Sequence, residues 1–144
     1  MAPHDRKAKL ALGVCWAQGL YFAVTGIWPL LSAETFQLVT GRKTDHLIAS
    51  PPTEADHWML YTISVLILAI ALVLLQAAWR RRVTFDVTLL GILSALALTG
   101  IDIVFVTRGT LLPIYLLDAA IEAGIILGWF WAILCGGVNR HDGQ

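Results

Sequence analysis

Four long apolar stretches decide what this chain of 144 residues can fold into. Each runs for about 20 residues, which is the length that an α-helix needs to cross a bilayer core of about 30 Å. The predicted spans are residues 10–31, 58–79, 87–106 and 111–134. The sequence therefore predicts an all-α fold, a polytopic membrane four-helix bundle that forms a single domain over residues 1–144.

The composition agrees with a membrane protein and excludes several other classes. Hydrophobic residues make up 58% of the chain and charged residues 14%, whereas a soluble domain is about half apolar and about a quarter charged. The ten basic and ten acidic residues give a formal net charge of zero, so no overall field attracts a polyanion. A disordered chain, a nucleic-acid binder and most water-soluble folds are excluded.

Basic residues flank the predicted spans unequally. Cytoplasmic ends of membrane proteins carry the excess of Lys and Arg. This predicts that both termini lie in the cytoplasm. The residues on the side of the termini are Arg6, Lys7, Lys9, Arg80, Arg81, Arg82 and Arg140, and those on the other side are Arg42, Lys43 and Arg108.

Two of the three connections between spans are short. Residues 80–86 form a tight cytoplasmic turn and residues 107–110 an external one. The last three helices are therefore predicted to be antiparallel neighbours. Gly109 suits the left-handed residue that follows a helix, and Pro113 suits the first turn of the last span.

The first external connection, residues 32–55, is longer and carries its own signals. Ser32 can cap a short helix that Gly41 ends, and this helix is predicted to lie on the outer membrane surface. Thr53 and Asp56 resemble a capping box that opens the second span.

Three acidic residues, Asp102, Asp118 and Glu122, fall inside predicted spans. A carboxylate within a bilayer is costly, so its presence indicates a functional site. At 1.5 Å per residue Asp102 lies about 6 Å, Asp118 about 10 Å and Glu122 about 16 Å from the external ends of their spans. The acids are predicted to descend from the outer surface towards mid-membrane.

Residue spacing places further polar and aromatic side chains near these acids. Asp118 and Glu122 are four residues apart and share one helix face, and Thr99 precedes Asp102 on a small, polar face of the third span. Gln18 reaches a similar depth from the other side of the membrane. The predicted ligand- or proton-binding site comprises Gln18, Thr99, Asp102, Arg108, Tyr115, Asp118, Glu122 and Trp129.

Charge inside the membrane limits how these acids can be arranged. Without an internal cation three acids cannot all remain ionised, so at least Glu122 is predicted to bind a proton near neutral pH. Arg108 could fold back to pair with Asp102. A purely structural alternative, in which Asp102 and Asp118 point outward or satisfy Arg108, stays open.

Small residues recur every fourth position along the last span. Such a stripe lets another helix backbone approach closely. The partner helix belongs either to this chain or to a second copy, and a homodimer is predicted. The stripe consists of Ala120, Gly124, Gly128 and Ala132.

Residues 25–32 (TGIWPLLS) and 40–45 (TGRKTD) carry a resemblance to known proteins. This segment resembles one in an uncharacterised family of small bacterial four-helix integral membrane proteins. The resemblance implies the fold and the inner membrane and implies no activity. The chain is also similar in size to small multidrug exporters, but those place a single carboxylate in the first helix.

Three functions are consistent with these features. The first is a non-enzymatic protein that binds or moves a small cationic or amphipathic ligand, or protons, through a pocket open to the outside. There Tyr115 and Trp129 would stack on the ligand and residues 32–55 would form a lid. The second is an isomerase- or cyclase-type membrane enzyme that uses the acids on a lipid-like substrate. The third is an accessory subunit of a larger complex.

No cofactor or metal is expected. His46 and His57 lie in or next to the first external loop but show no recognised metal-ligand spacing.

Overall fold

A computed structural model describes residues 3–40, 54–109 and 111–135. Within these ranges the chain forms five helices and no strand. They are α1 (Pro3–Leu31), α2 (Ala33–Thr40), α3 (Glu54–Trp79), α4 (Phe85–Thr107) and α5 (Tyr115–Leu134). The prediction of an all-α, four-helix bundle with one additional short helix is confirmed.

Four of these helices are long and apolar enough to cross a membrane. Their candidate spans are Lys9–Leu31, His57–Trp79, Phe85–Thr107 and Tyr115–Leu134. Large apolar side chains on their outward faces are exposed, with Val24 65% and Leu127 70% accessible. A surface of this kind suits acyl chains rather than water.

The last span begins four residues later than predicted, at Tyr115 instead of Leu111. The amides of Tyr115, Leu116 and Leu117 donate to carbonyls three residues earlier, so this segment is a tighter turn before the α-helix. Pro113 lies in that turn and not in the first turn of α5. The residue before a proline avoids helical backbone angles, which explains the late start.

The predicted turn signal at Gly109 is confirmed. Gly109 has φ 72°, in the left-handed region that glycine adopts without a steric cost. Its amide donates to the Val106 carbonyl at 2.9 Å. At the other end of α4, Thr84 is the N-cap and its side chain accepts from the Val87 amide at 3.4 Å.

The helices pair as two antiparallel units, α1 with α3 and α4 with α5, and the units meet where α1 crosses α5. The prediction that α3 and α4 are neighbours holds only weakly, because α3 packs chiefly on α1 and contacts α4 much less. Glycines permit this close packing. A Cβ at Gly19 would lie 2.9 Å from Leu75, and one at Gly26 would lie 2.9 Å from the Ser64 carbonyl oxygen.

The short helix α2 starts as predicted. The Thr35 amide donates to the Ser32 hydroxyl at 3.3 Å. Trp28 then ties α2 to the end of α1, since its indole donates to Thr35 Oγ1 at 3.1 Å and its ring packs edge-on against Phe36. The predicted helix end at Gly41, the capping box that depends on Thr53 and most of the predicted lid lie outside the described residues.

Candidate functional site

The three intramembrane acids lie on the paired helices α4 and α5. Glu122 is completely buried, Asp102 is 8% exposed and Asp118 is partly buried. Asp118 precedes Glu122 by one turn on α5, and α4, which carries Asp102, packs against α5. We call Asp102, Asp118, Glu122 and the adjacent Thr99 the carboxyl cluster.

Four buried oxygen atoms of the carboxyl cluster have no hydrogen-bond partner among the described residues. They are Oε1 and Oε2 of Glu122, Oδ2 of Asp102 and Oγ1 of Thr99. An unsatisfied buried polar group costs about 1–3 kcal/mol, so native proteins rarely retain several together. Four such atoms in one cluster form an acceptor-rich site that a donor or a cation would satisfy.

Asp118 is the one acid of the cluster with a protein partner on another helix. The hydroxyl of Tyr21, on α1, donates to Asp118 Oδ1. Asp118 also lies in the first turn of α5, where the helix dipole favours a negative charge. The Tyr21 hydroxyl therefore links α1 to the first turn of α5.

The late start of α5 changes the predicted depths. From Tyr115 the rise of the helix puts Asp118 about 4.5 Å and Glu122 about 10 Å along the axis. Both acids are therefore nearer to the α4–α5 turn than predicted, although Glu122 is still one helical turn farther along α5 than Asp118.

The predicted pairing of Arg108 with Asp102 is absent from the described part of the chain. Arg108 is exposed at the end of α4, whereas Asp102 Oδ2 is buried and unpartnered. Six residues correspond to about 240° around a helix, so the two side chains leave α4 on different faces.

Gln18 and Trp129 belong to a separate buried hydrogen-bonded group. Gln18 Nε2 donates to the Gly91 carbonyl at 2.8 Å and to Ser94 Oγ at 3.4 Å. Gln18 Oε1 accepts from Trp129 Nε1 at 2.7 Å. We call these four residues the Gln18 node. Both the Gln18 and Trp129 side chains are 0% exposed, so the indole packs in the core and has an internal partner.

The remaining predicted site residue, Tyr115, is partly buried at the start of α5. The sequence analysis missed Tyr21, which bridges α1 to Asp118. A signal for it existed, because Tyr21 is three residues after Gln18 and such residues share a helix face. Gly91 and Ser94 carried no comparable signal, since their role depends on where α1 crosses α4.

The small-residue stripe of α5 divides into two halves. Gly128 packs against α1, where its Cβ would lie 3.1 Å from Val14, and Ala132 is buried. Ala120 and Gly124 are exposed, and a Cβ at Gly124 would meet nothing within 4 Å. Half of the stripe therefore packs inside this chain.

Comparison with known proteins assigns no activity to these residues. No family model, no curated protein and no solved structure matches the chain. Nor do the described residues include three or more His, Cys, Asp or Glu side chains grouped to hold a metal ion. The carboxyl cluster is the feature from which a function can be argued.

Proposed function

We propose that this chain is a non-enzymatic, multi-pass protein of the inner membrane that binds or moves protons or a small cationic or amphipathic ligand at the carboxyl cluster. The supporting observation is the set of four buried, unpartnered oxygen atoms on Thr99, Asp102 and Glu122. Both termini are cytoplasmic in this proposal, which rests on the excess of basic residues at that end.

The chemistry of the cluster selects the ligand. Carboxylate oxygens accept hydrogen bonds and attract positive charge, so the ligand supplies protons, N–H groups or a cation. Glu122 is completely enclosed, and the smallest such ligand is the proton. A larger amphipathic cation requires α4 and α5 to separate locally from α1.

Asp118 lies between the external turn and Glu122 along α5, and the Tyr21 hydroxyl reaches it from α1. Asp118 is partly buried and one helical turn closer to that turn than Glu122. A proton or cation arriving from the outside would meet Asp118 first. The Tyr21 hydroxyl bridges α1 to this acid, so movement of Tyr21 would open the path to Glu122.

Two assays on purified protein test this proposal. The first measures proton flux into proteoliposomes with an enclosed pH-sensitive dye under an imposed potential. The second measures binding of tetraphenylphosphonium, an amphipathic cation. We expect the native chain to show at least one activity, and Glu122→Gln and Asp102→Asn to reduce it to the level of empty liposomes, because each removes a carboxylate from the cluster.

Exposed acids outside the cluster provide matched controls. Glu34→Gln on α2 and Asp86→Asn on α4 make the same chemical changes at exposed positions and should leave flux and binding unchanged. The proposal fails if the native chain shows neither activity, or if the cluster variants behave like these controls while remaining folded.

A further inference from the structure

The turn between α3 and α4 carries three consecutive arginines that the proposed function does not use. Arg80, Arg81 and Arg82 are all exposed. None of them forms an ion pair within the described parts of the chain, although the exposed Asp86 follows in the first turn of α4. These three guanidinium groups can therefore contact an anion that is not part of the chain.

The packing of α1 on α3 fixes where this turn lies. The Cys15 thiol donates to the Leu74 carbonyl at 3.2 Å, and Trp16 packs edge-on against Trp79 with ring centroids 6.4 Å apart. The end of α3 therefore lies beside the middle of α1, at Cys15 and Trp16.

Tryptophan next to the arginines indicates the level of the membrane interface. Trp79 is 79% exposed and directly precedes Arg80. Tryptophan rings concentrate at the headgroup level of bilayers. The arginines that follow Trp79 are then placed at the depth of the lipid phosphates.

Backbone geometry gives a second, independent reason to assign a role to Arg81. Its φ is 53°, which is the left-handed conformation that normally selects glycine after a helix. The Arg82 amide donates to the Ala77 carbonyl and the Arg81 amide to the Ala78 carbonyl, both at 3.0 Å. The chain thus retains a cationic side chain where glycine would fit with less strain.

We propose that Arg80, Arg81 and Arg82 bind the phosphate of an anionic phospholipid headgroup. Guanidinium groups match phosphate oxygens with paired, charge-assisted hydrogen bonds. The exposed ring of Trp79 packs against the glycerol and upper acyl region of the same lipid. This site is at the opposite end of the bundle from the α4–α5 turn and does not depend on the carboxyl cluster.

Native mass spectrometry of the full chain in mixed micelles tests the site. With equimolar phosphatidylglycerol and phosphatidylcholine, the native chain should retain phosphatidylglycerol preferentially. Replacing all three arginines by glutamine should lower that preference about fivefold for each arginine, from about 1 kcal/mol per basic residue near an anionic surface. The triple Arg→Lys variant keeps the charges but loses the paired hydrogen bonds, so it should retain only part of this preference.

The controls separate a headgroup site from general charge effects. Arg108→Gln removes one exposed arginine at the other end of the bundle and should not change lipid retention. Arg81→Gly removes one charge without straining the helix end. If the triple Arg→Gln variant does not fold, Arg81→Gly takes its place in the lipid-retention measurement. Three results would overturn the proposal. They are equal retention of both lipids by the native chain, an unchanged lipid preference in the triple Arg→Gln or Arg81→Gly variant, and complete displacement of the bound lipid by glycerol phosphate.

Discussion

At the scale of single residues, Gly91 decides whether the Gln18 node can form. A Cβ at position 91 would lie 2.7 Å from Gln18 Oε1 and 2.9 Å from Trp129 Nε1. Contacts this short force the neighbouring atoms to move. Because Gln18 and Trp129 belong to α1 and α5, the glycine on α4 lets three helices meet through one pair of side chains.

Gly91→Ala should therefore destabilise the protein by about 1–3 kcal/mol, the usual cost of overpacking a core. The measurement is the free energy of unfolding in detergent, followed by the summed fluorescence of the six tryptophans. Gly100→Ala on the same helix is the control, because its Cβ would meet nothing within 4 Å and alanine favours a helix by about 1 kcal/mol. Equal stability of the two variants would contradict the role of Gly91.

Residue identity alone revealed part of the candidate site. Charge within an apolar segment was sufficient to single out Asp102, Asp118 and Glu122, since an acid there is costly. It was not sufficient to find the partners of Asp118 and Gln18. Those hydrogen bonds join residues 97 and 111 positions apart in the chain, and only the crossing of α1 with α5 brings them together.

At the scale of helices, the end of α3 and the start of α5 show how local chemistry sets element boundaries. At α5, Pro113 delays the helix, so Asp118 falls in its first turn. The turn after α3 closes on Arg81, whose φ is 53°. This left-handed conformation costs a residue other than glycine about 1–2 kcal/mol.

Arg81→Gly should accordingly raise the free energy of unfolding by about 1 kcal/mol, because glycine adopts this backbone conformation freely. Arg80→Gly removes the same charge one position earlier and should not stabilise the chain, since its amide makes the helical bond to the Gln76 carbonyl. Denaturant titration of both variants in the same detergent makes the comparison. Stabilisation of both to the same extent would attribute the effect to charge and not to the backbone.

At the scale of the whole molecule, the two helix pairs are held together mainly where α1 crosses α5. Gly128 allows this approach, with Val14 3.1 Å from where its Cβ would be. The same crossing joins Tyr21 to Asp118 and Gln18 to Trp129. Separation of the pairs would therefore break the Tyr21–Asp118 hydrogen bond and the Gln18 node together.

Gly128→Val should destabilise the bundle by about 1–3 kcal/mol, because the added methyl groups would overlap Val14. Gly124→Val places the same side chain one turn earlier on α5, where a Cβ has open space, and should leave the fold intact. Thermal unfolding followed by circular dichroism distinguishes the two. A larger loss of stability from the Gly124 variant would show that α1 does not pack as described.

The homodimer stays a prediction. Gly124→Val would weaken the predicted dimer contact without unfolding the chain.

The sequence by itself determined the number of spans, their approximate bounds, the short helix that Ser32 caps and the presence of acids inside the membrane. These features follow from hydrophobic length, local capping chemistry and the cost of burying charge, all of which act over a few neighbouring residues. Tertiary structure alone decided that α3 packs on α1 and that Gln18 binds Trp129. Those outcomes depend on which helix faces meet, and glycine contacts and hydrogen bonds between distant residues set that arrangement.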